Sequence, residues 1–242
     1  MLYMVGIGLG DEKDITLNGL EAIKSCKYVY LENYTSILSV SNKKLEKIYG
    51  KKIVLADREM IEKNSDEILS KAKKENVAFL VIGDVFSATT HIDFLLRAKK
   101  EKIKVKTIHN ASILGAIGII GLELYKYGKT TSIPFGNKNV ITPINVFKEN
   151  EKLGLHTLFL LDLDVKNKKF MKTSEACKYL IEKKVSEKKL VIGCSALGGK
   201  NQEIKVGTLK ELSKFEFKKY PQCLIIPGNL HFIEEEAMEL WK

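Results

Sequence analysis

One nine-residue stretch, Gly83 to His91, concentrates side chains that could do chemistry. It contains a glycine, the carboxylate of Asp84, three hydroxyl groups including that of Ser87, and an imidazole. Glycine lets a ligand approach the backbone closely, and the other groups can donate or accept hydrogen bonds. Asp, Ser and Thr are also the usual residues that cap a helix. The stretch alone therefore fits a ligand-binding loop and a capped turn equally well.

The segments on either side predict where this loop lies. Residues 77–82 form an apolar run typical of a buried strand, and residues 92–98 have the spacing of an amphipathic helix. Open α/β sheets bind their ligands outside the carboxyl ends of their strands. The loop is thus predicted to lie at the ligand-binding edge of a sheet.

A glycine-rich loop follows the first predicted strand, residues 1–7. Its spacing, Gly6-Ile7-Gly8-Leu9-Gly10, differs from the G-x-G-x-x-G pattern of dinucleotide-binding folds. Three carboxylates, Asp11, Glu12 and Asp14, separate the glycines from the next helix, which we expect Thr16 to cap ahead of an apolar face of Leu17, Leu20 and Ile23. Carboxylates would repel a phosphate and attract a cation. The loop predicts a cationic ligand.

A second polar turn, His109-Asn110-Ala111-Ser112, follows an edge-like strand at residues 104–109 and opens an apolar helix broken by glycines. If its strand neighbours the one before Gly83, the two turns lie side by side, as in many small-molecule sites.

The remaining pattern predicts an α/β protein of two domains, residues 1–112 and residues 113–242. We expect a mostly parallel sheet in the first domain. The turn Gly198-Gly199-Lys200-Asn201 suggests a hairpin, so we expect a mixed sheet in the second. Helices are predicted near residues 42–49, 65–75 and 173–184, and from about Glu234, and second-domain strands near residues 130–135, 156–163, 189–194, 203–206 and 222–226.

Composition limits the possible partners. The net charge is +10, but Arg58 and Arg97 are the only arginines, and the lysines alternate with glutamates on helical faces. Nucleic-acid recognition favours arginine, so we interpret most of the charge as solvated surface and expect no direct nucleic-acid partner. The four cysteines form no metal-binding or disulfide pattern, which favours a reducing cytoplasm. The longest apolar stretch, residues 113–124, is too short to span a membrane.

Taken together in order, the turn motifs resemble the diphthine synthase family of the tetrapyrrole-methylase-like superfamily. The resemblance covers nearly the whole chain. The matching segments are residues 1–10 with Asp14-Ile15-Thr16, Leu31-Glu32-Asn33-Tyr34-Thr35-Ser36, Ala56-Asp57-Arg58-Glu59, Gly83-Asp84 with Ala88-Thr89-Thr90-His91, His109 to Ile113, His156-Thr157-Leu158 with Leu161-Asp162, and Gly228-Asn229-Leu230-His231.

This resemblance implies a two-domain homodimer that holds S-adenosyl-L-methionine in the cleft between its domains and releases S-adenosyl-L-homocysteine. The implied substrate is elongation factor 2, on a histidine extended with a 3-amino-3-carboxypropyl group. The implied cofactor contacts are Leu9, Asp84, Ser87, Ser112, Ile113, Leu163, a residue near Val206, and His231. No catalytic side chain and no metal are implied, because the sulfonium is an intrinsically good leaving group and alignment is the main requirement. His91 and His231 are the candidates if proton removal is assisted, although capping or cofactor contact suits both better.

Two other functions stay open at this point. A methyltransferase of the same fold could act on a tetrapyrrole or RNA, which the scarcity of arginine disfavours. A non-catalytic protein could bind an adenosine ligand or RNA, which only the net charge supports.

Overall fold

The computed structural model describes residues 1–242, and the chain divides into two compact units, Met1–Leu114 and Gly115–Lys242. Each unit contains a five-stranded sheet with helices packed on it. An α/β fold with a parallel N-terminal sheet and a mixed C-terminal sheet is confirmed. None of the helices combines the length and the apolar character that crossing a membrane requires.

The first unit alternates strands and helices. Its strands are β1 (Leu2–Gly6), β2 (Tyr28–Glu32), β3 (Val54–Ala56), β4 (Val77–Val81) and β5 (Val105–Ile108), and all pair in parallel in the order β3-β2-β4-β1-β5. Its helices are α1 (Leu17–Ser25), α2 (Asn42–Tyr49), α3 (Arg58–Glu62), α4 (Asp66–Lys74) and α5 (Ile92–Lys100). The strand β5 lies at an edge of the sheet, as its alternating sequence predicts.

The central strand β4 shows why this sheet is covered on both faces. Every residue of β4 is buried. Phe79 packs with Phe94 of α5 on one face, and Leu80 packs with Ile23 of α1 on the other. Successive side chains of a strand point to opposite faces, so an uninterrupted apolar run requires helices on both.

A short helix, α6 (Ile113–Ala116), spans the boundary between the units, and the second unit contains 3₁₀ turns at Ile117–Ile120, Leu124–Lys126 and Asn137–Asn139. Its strands are β6 (Thr131–Ile133), β7 (Thr157–Leu161), β8 (Leu163–Asp164), β9 (Lys169–Phe170), β10 (Leu190–Ser195), β11 (Glu203–Thr208) and β12 (Gln222–Ile226). Its helices are α7 (Thr142–Lys152), α8 (Thr173–Glu182), α9 (Leu209–Leu212) and α10 (Phe232–Glu239). The large sheet has the order β11-β10-β12-β7-β6. The β10–β11 pair is antiparallel, which confirms the predicted hairpin.

Several details differ from the sequence-based expectation, and the apolar helix expected after Ser112 is only the four-residue α6, followed by a 3₁₀ turn. Thr16 caps α1 as predicted, by accepting from the Gly19 amide at 3.0 Å, but Leu17 is 80% exposed rather than inward. As the first helical residue, Leu17 projects over the preceding turn instead of over the core face. The helix α7 was not predicted, because its buried Pro143, Ile144, Phe147 and Asn150 are interrupted by charged residues and give only a short apolar pattern.

Candidate functional site

Three loops of the first unit meet at the carboxyl edge of its sheet, because β4, β1 and β5 are neighbours. The loops after β1 and β4 are joined by an antiparallel bridge between Gly8 and Gly83. The Gly83 amide donates to the Gly8 carbonyl at 2.8 Å, and the Gly8 amide donates to the Gly83 carbonyl at 3.3 Å. Both glycines have φ near +80°, a region that side chains disfavour. The bridge therefore depends on glycine at both positions.

Asp14 closes the first glycine loop. One oxygen of its carboxylate accepts hydrogen bonds from the Gly10 amide at 2.7 Å and from the Leu9 amide at 3.2 Å. In dinucleotide-binding loops, amides near the glycines and the helix start bind the pyrophosphate. Here two of the loop amides are taken by an acidic side chain, so this loop is organised against a phosphate ligand.

Asn110 links the third loop to the first. Its side-chain amide donates to the carbonyl of Gly6 and to the carbonyl of Asp14, both at 3.0 Å. A Cβ atom on Gly6 would lie 2.7 Å from the Gly83 carbonyl oxygen and 2.9 Å from Cβ of Asn110. The three loops are therefore packed as closely as their backbones allow.

Asp84 is the centre of the polar network. One carboxylate oxygen accepts from the Phe86 amide and the Ser87 hydroxyl, both at 3.1 Å. The other accepts from the Asn110 amide at 3.1 Å and lies 2.8 Å from Nδ1 of His109. Burial alone would raise the pKa of Asp84, but these hydrogen bonds outweigh it and hold the pKa below its ordinary value. Asp84 is an ionised group that fixes two loops.

Glu32, at the end of β2, is a buried carboxylate whose pKa shifts in the opposite direction from that of Asp84. It accepts hydrogen bonds from the Tyr34 and Thr35 amides and from the Thr35 hydroxyl of its own turn, and from the backbone of Ile82 after β4. It is fully buried, and desolvation raises its pKa in spite of these bonds. Glu32 therefore organises the turn after β2 and is not exposed to a ligand.

His91 ends the central loop and is buried, with 1% of its surface exposed. Neither ring nitrogen has a hydrogen-bond partner. The ring stacks on that of Tyr34, with the ring centroids 6.0 Å apart and an interplanar angle of 9°. Its centroid lies 5.2 Å from that of the Phe79 ring. Burial lowers the pKa of His91 to about 4. At neutral pH this side chain is an uncharged ring inside an aromatic column.

The predicted cofactor contacts fall into two groups. In the first unit, Leu9, Asp84 and Ser87 are brought together with the turn of Ser112 and Ile113. A Cβ on Gly83 would contact Leu9 Cδ2 at 3.5 Å and the carbonyl oxygen of Ala111 at 3.7 Å. Ser112 and Ile113 are half-buried and follow Ala111 directly. These five residues therefore belong to the three joined loops.

The other three predicted contacts lie in the second unit, and no hydrogen bond joins them to one another. Leu163 begins β8 and is half-buried, and Val206 is buried in β11, where its amide donates to the carbonyl of Trp241 at 2.8 Å. His231 is exposed and caps α10, with Nδ1 accepting from the Ile233 amide at 3.5 Å.

A buried ionic network supports the turn that carries His231. Nε2 of His156 lies 2.9 Å from Glu234, whose other oxygen accepts from the His231 amide at 2.8 Å and pairs with Lys126. Burial would raise the pKa of Glu234, but the bonds from Lys126 and its other partners lower it to about 2. The Gly228 amide donates to Nδ1 of His156 at 2.9 Å. The network ties β7 to both ends of the 228–231 turn.

Sequence reasoning assigned no role to Asp14 beyond its charge, and none to Asn110, although each connects two loops. Their polar types in turns that follow strands were the only signal, since the Asn110 partners lie 96 and 104 positions away in the chain. No group of three or more His, Cys, Asp or Glu side chains is arranged to hold a metal ion.

The fold and these loops define a class of enzyme. The profile of the Tetrapyrrole (Corrin/Porphyrin) Methylases matches residues 1–213, and the chain belongs to this family. It is a methyltransferase.

The full-length relatives are more specific. The chain is 44% identical to a probable diphthine methyl ester synthase of Arabidopsis thaliana, over 100% of this chain and 98% of the relative. It is 44% identical to the diphthine methyl ester synthase of Saccharomyces cerevisiae, over 98% of this chain and 88% of the relative. A crystal structure of a diphthine synthase superposes with a TM-score of 0.93 at 34% identity, covering 100% of this chain and 96% of that one.

Proposed function

We propose that the chain is a diphthine-forming methyltransferase of diphthamide biosynthesis. Its acceptor is elongation factor 2, on a histidine extended with a 3-amino-3-carboxypropyl group, and the amino group receives the methyl groups. The names of the full-length relatives also suggest esterification of the carboxylate. The donor is S-adenosyl-L-methionine and the product is S-adenosyl-L-homocysteine.

The first glycine loop is the observation that carries the choice of donor. Asp14 takes the Leu9 and Gly10 amides, and Asp11 and Glu12 add negative charge to the same loop. A dinucleotide would meet occupied amides and like charges there, whereas a sulfonium would meet an attractive field. When bound, the donor supplies a methyl group on a positively charged sulfur, which leaves as a neutral thioether.

The residues of this chain contribute mainly alignment. Leu9, Asp84, Ser87, Ser112 and Ile113 of the first unit, together with Leu163, a residue near Val206, and His231 of the second, are proposed to hold the donor. The acceptor amine needs no dedicated base, since a free α-amino group has a pKa of about 7.7–8.0 and is partly neutral at physiological pH. His91 is sealed between rings, which suits a structural role better than proton transfer.

The activity test uses elongation factor 2 that carries the extended histidine, incubated with methyl-labelled S-adenosyl-L-methionine. We expect label on that factor and none on the same factor with an unmodified histidine. Absence of label on both, while calorimetry shows that the donor binds, would contradict the proposed function.

The site assignment is tested separately by calorimetry with S-adenosyl-L-homocysteine. Asp84→Ala and Ser112→Ala are each expected to weaken binding by about tenfold, through lost loop order and lost contact respectively. Ser70→Ala, which removes an exposed hydroxyl from α4, is the matched control. Wild-type affinity in both site variants would remove Asp84 and Ser112 from the site.

We also propose that the enzyme works as a homodimer in the cytoplasm. Its four cysteines are free and buried, which suits a reducing compartment. Large apolar side chains are exposed on two neighbouring segments of the second unit, among them Tyr125 at 81% and Leu240 at 76%. A hydrogen bond from the Glu123 amide to the Glu234 carboxylate connects these segments. A second copy would bury such a patch.

Light scattering tests the dimer. We expect a mass of about twice the 27.3 kDa of one chain for the wild type. Tyr125→Glu should shift the mass towards the monomer, because a buried unpaired carboxylate is costly. Leu17→Glu, at an equally exposed position in the first unit, should leave the mass unchanged. A monomeric wild type would contradict this part of the proposal.

A further inference from the structure

Two segments that match the family pattern have no role in the cofactor loops. These are the turn after β2, which contains Tyr34, and the start of α3 after β3, which contains Arg58. Both follow strands of the parallel sheet, so both lie at its carboxyl edge, on the β3-β2 side of β4. The loop after β4 connects the two halves of this edge, with Asp84 at its start and His91 at its end.

Arg58 is positioned by an aromatic column that begins in the core. Phe94 contacts Phe79 at 5.0 Å, Phe79 contacts His91 at 5.2 Å, and His91 stacks on Tyr34. The guanidinium of Arg58 lies over the Tyr34 ring, 5.4 Å from its centroid. Stacking on an aromatic face orients the planar guanidinium. A surface arginine is thus held on a platform anchored in the hydrophobic core.

The hydrogen-bonding capacity of Arg58 is unused. Its side chain is 66% exposed, and its one ionic neighbour is Glu62, at 3.8 Å from Nε, beyond hydrogen-bond distance. The other arginine of the chain, Arg97, is committed to structure: it donates to the Ser65 hydroxyl at 2.7 Å and to the Ile61 carbonyl at 2.5 Å, and it pairs with Asp93. Of the two arginines in the chain, Arg58 is therefore the one whose guanidinium makes no hydrogen bond within the protein.

The chemistry of the fork and its place indicate the ligand. A guanidinium pairs best with a planar anion that accepts two parallel hydrogen bonds, such as a carboxylate. The end of β4 and the end of β3, which leads into α3, are two strand spacings apart, or about 10 Å. Arg58 therefore lies at the same sheet edge as the β4 loop.

We propose that Arg58, stacked on Tyr34, binds the carboxylate of the amino-acid-like group on the acceptor histidine. The inference rests on the proposed function and names the residue that selects an extended over an unextended histidine. Arg58 acts as a specificity-determining residue in the amine-methylation steps, because it holds the carboxylate while the amine on the same carbon faces the donor site.

A thermodynamic cycle tests this inference. Binding of wild type and Arg58→Ala is measured by fluorescence anisotropy with two forms of elongation factor 2, extended and unextended, in saturating S-adenosyl-L-homocysteine. We expect the wild type to prefer the extended form by about tenfold or more, and Arg58→Ala to lose this preference while binding the unextended form as the wild type does. Arg58→Lys should keep part of the preference, because it retains the charge without the fork.

Lys63→Ala, which removes an exposed positive charge just after α3, is the control and should keep the full preference. Equal weakening for both factor forms would overturn the inference, since it would mean that Arg58 touches the body of the factor. An unchanged preference in Arg58→Ala would also overturn it. If the wild type transfers no methyl group to the extended factor, the proposed function is contradicted. If the wild type transfers methyl groups but Arg58→Ala changes the binding of both factor forms equally, only the role of Arg58 is contradicted.

Discussion

The two halves of the carboxyl edge in the first unit are built on different principles. On the β4-β1-β5 side, Asp84 accepts three hydrogen bonds and contacts His109, and Asp14 and Asn110 bond across loops. On the β3-β2 side, Glu32 fixes the turn after β2 by hydrogen bonds, but the platform under Arg58 consists of stacked rings, and His91 within it makes no hydrogen bond. The first half fixes the backbone of three loops, and the second presents one guanidinium that makes no hydrogen bond within the protein.

This difference has a physical basis. A buried polar network is costly unless it is satisfied, so a saturated network holds one geometry and tolerates little change. A column of rings depends on shape and contact area, so it tolerates replacement by another ring. The comparison therefore predicts large effects on the polar side and small ones inside the column.

The largest effect is expected for Gly8→Ala. The left-handed φ of +81° costs a side chain about 1–2 kcal/mol, and the new Cβ would lie 2.4 Å from Cβ of Asp14, which must then release the loop amides. Donor binding should be lost, and the free energy of unfolding should fall by about 2–5 kcal/mol in urea titrations. Gly50 has a similar φ of +66°, but an added Cβ there would meet open space. Gly50→Ala should therefore lose only the free energy that the left-handed backbone costs a side chain. Equal losses in both variants would show that the loops are not closely packed.

A smaller effect is expected for Asp84→Asn. The variant keeps the shape but loses the charge that holds the Asn110 amide and His109, a loss of about 1.5–3 kcal/mol. The folded pKa of Asp84 is below its ordinary value. Its contribution is therefore complete above about pH 3.9 and disappears as the pH falls through the lowered value. Unfolding free energies measured across that range should show this slope in the wild type and not in Asp84→Asn. Identical acid profiles would contradict the role of the charge.

The smallest effect at neutral pH is expected for His91→Phe. A ring replaces a ring that makes no hydrogen bond, so stability and methyl transfer at about pH 7.5 should change little. The folded pKa of about 4 lies below the unfolded value of about 6.5, so the wild type loses up to about 3 kcal/mol as the pH falls between these values. His91→Phe should lack this loss. A hundredfold drop in transfer with an intact fold would instead mean that His91 moves a proton.

The sequence predicted much of the frame of the first unit. Helix α2 was predicted with its observed ends, and the buried Ile68, Leu69 and Ala72 of α4 were predicted from their spacing. These features are local, because apolar periodicity and capping residues are read within one segment. The short α3 was not predicted, since five residues carry no period, although it begins with Arg58.

The sequence predicted which types of residue form the site, but not the hydrogen bonds between them. The turns rich in glycine, carboxylate and hydroxyl groups marked the edge of the sheet, but the sequence did not show that Asp14 takes two amides or that Asn110 reaches two loops. Those bonds depend on how parallel strands align. The contrast between Asp84 and Glu32 was equally hidden. Both are buried carboxylates that follow strands, but hydrogen bonds outweigh desolvation at Asp84 and lower its pKa, whereas desolvation outweighs them at Glu32 and raises its pKa.

We propose that the two halves of one sheet edge serve the donor and the acceptor separately. The most direct test is calorimetry of Asp84→Asn and Arg58→Ala against two ligands, S-adenosyl-L-homocysteine and elongation factor 2 that carries the extended histidine. We expect a crossed result: Asp84→Asn weakens binding of the nucleoside about tenfold, and Arg58→Ala weakens binding of the extended factor only. Loss of nucleoside affinity in Arg58→Ala, or wild-type affinity for both ligands in both variants, would contradict it.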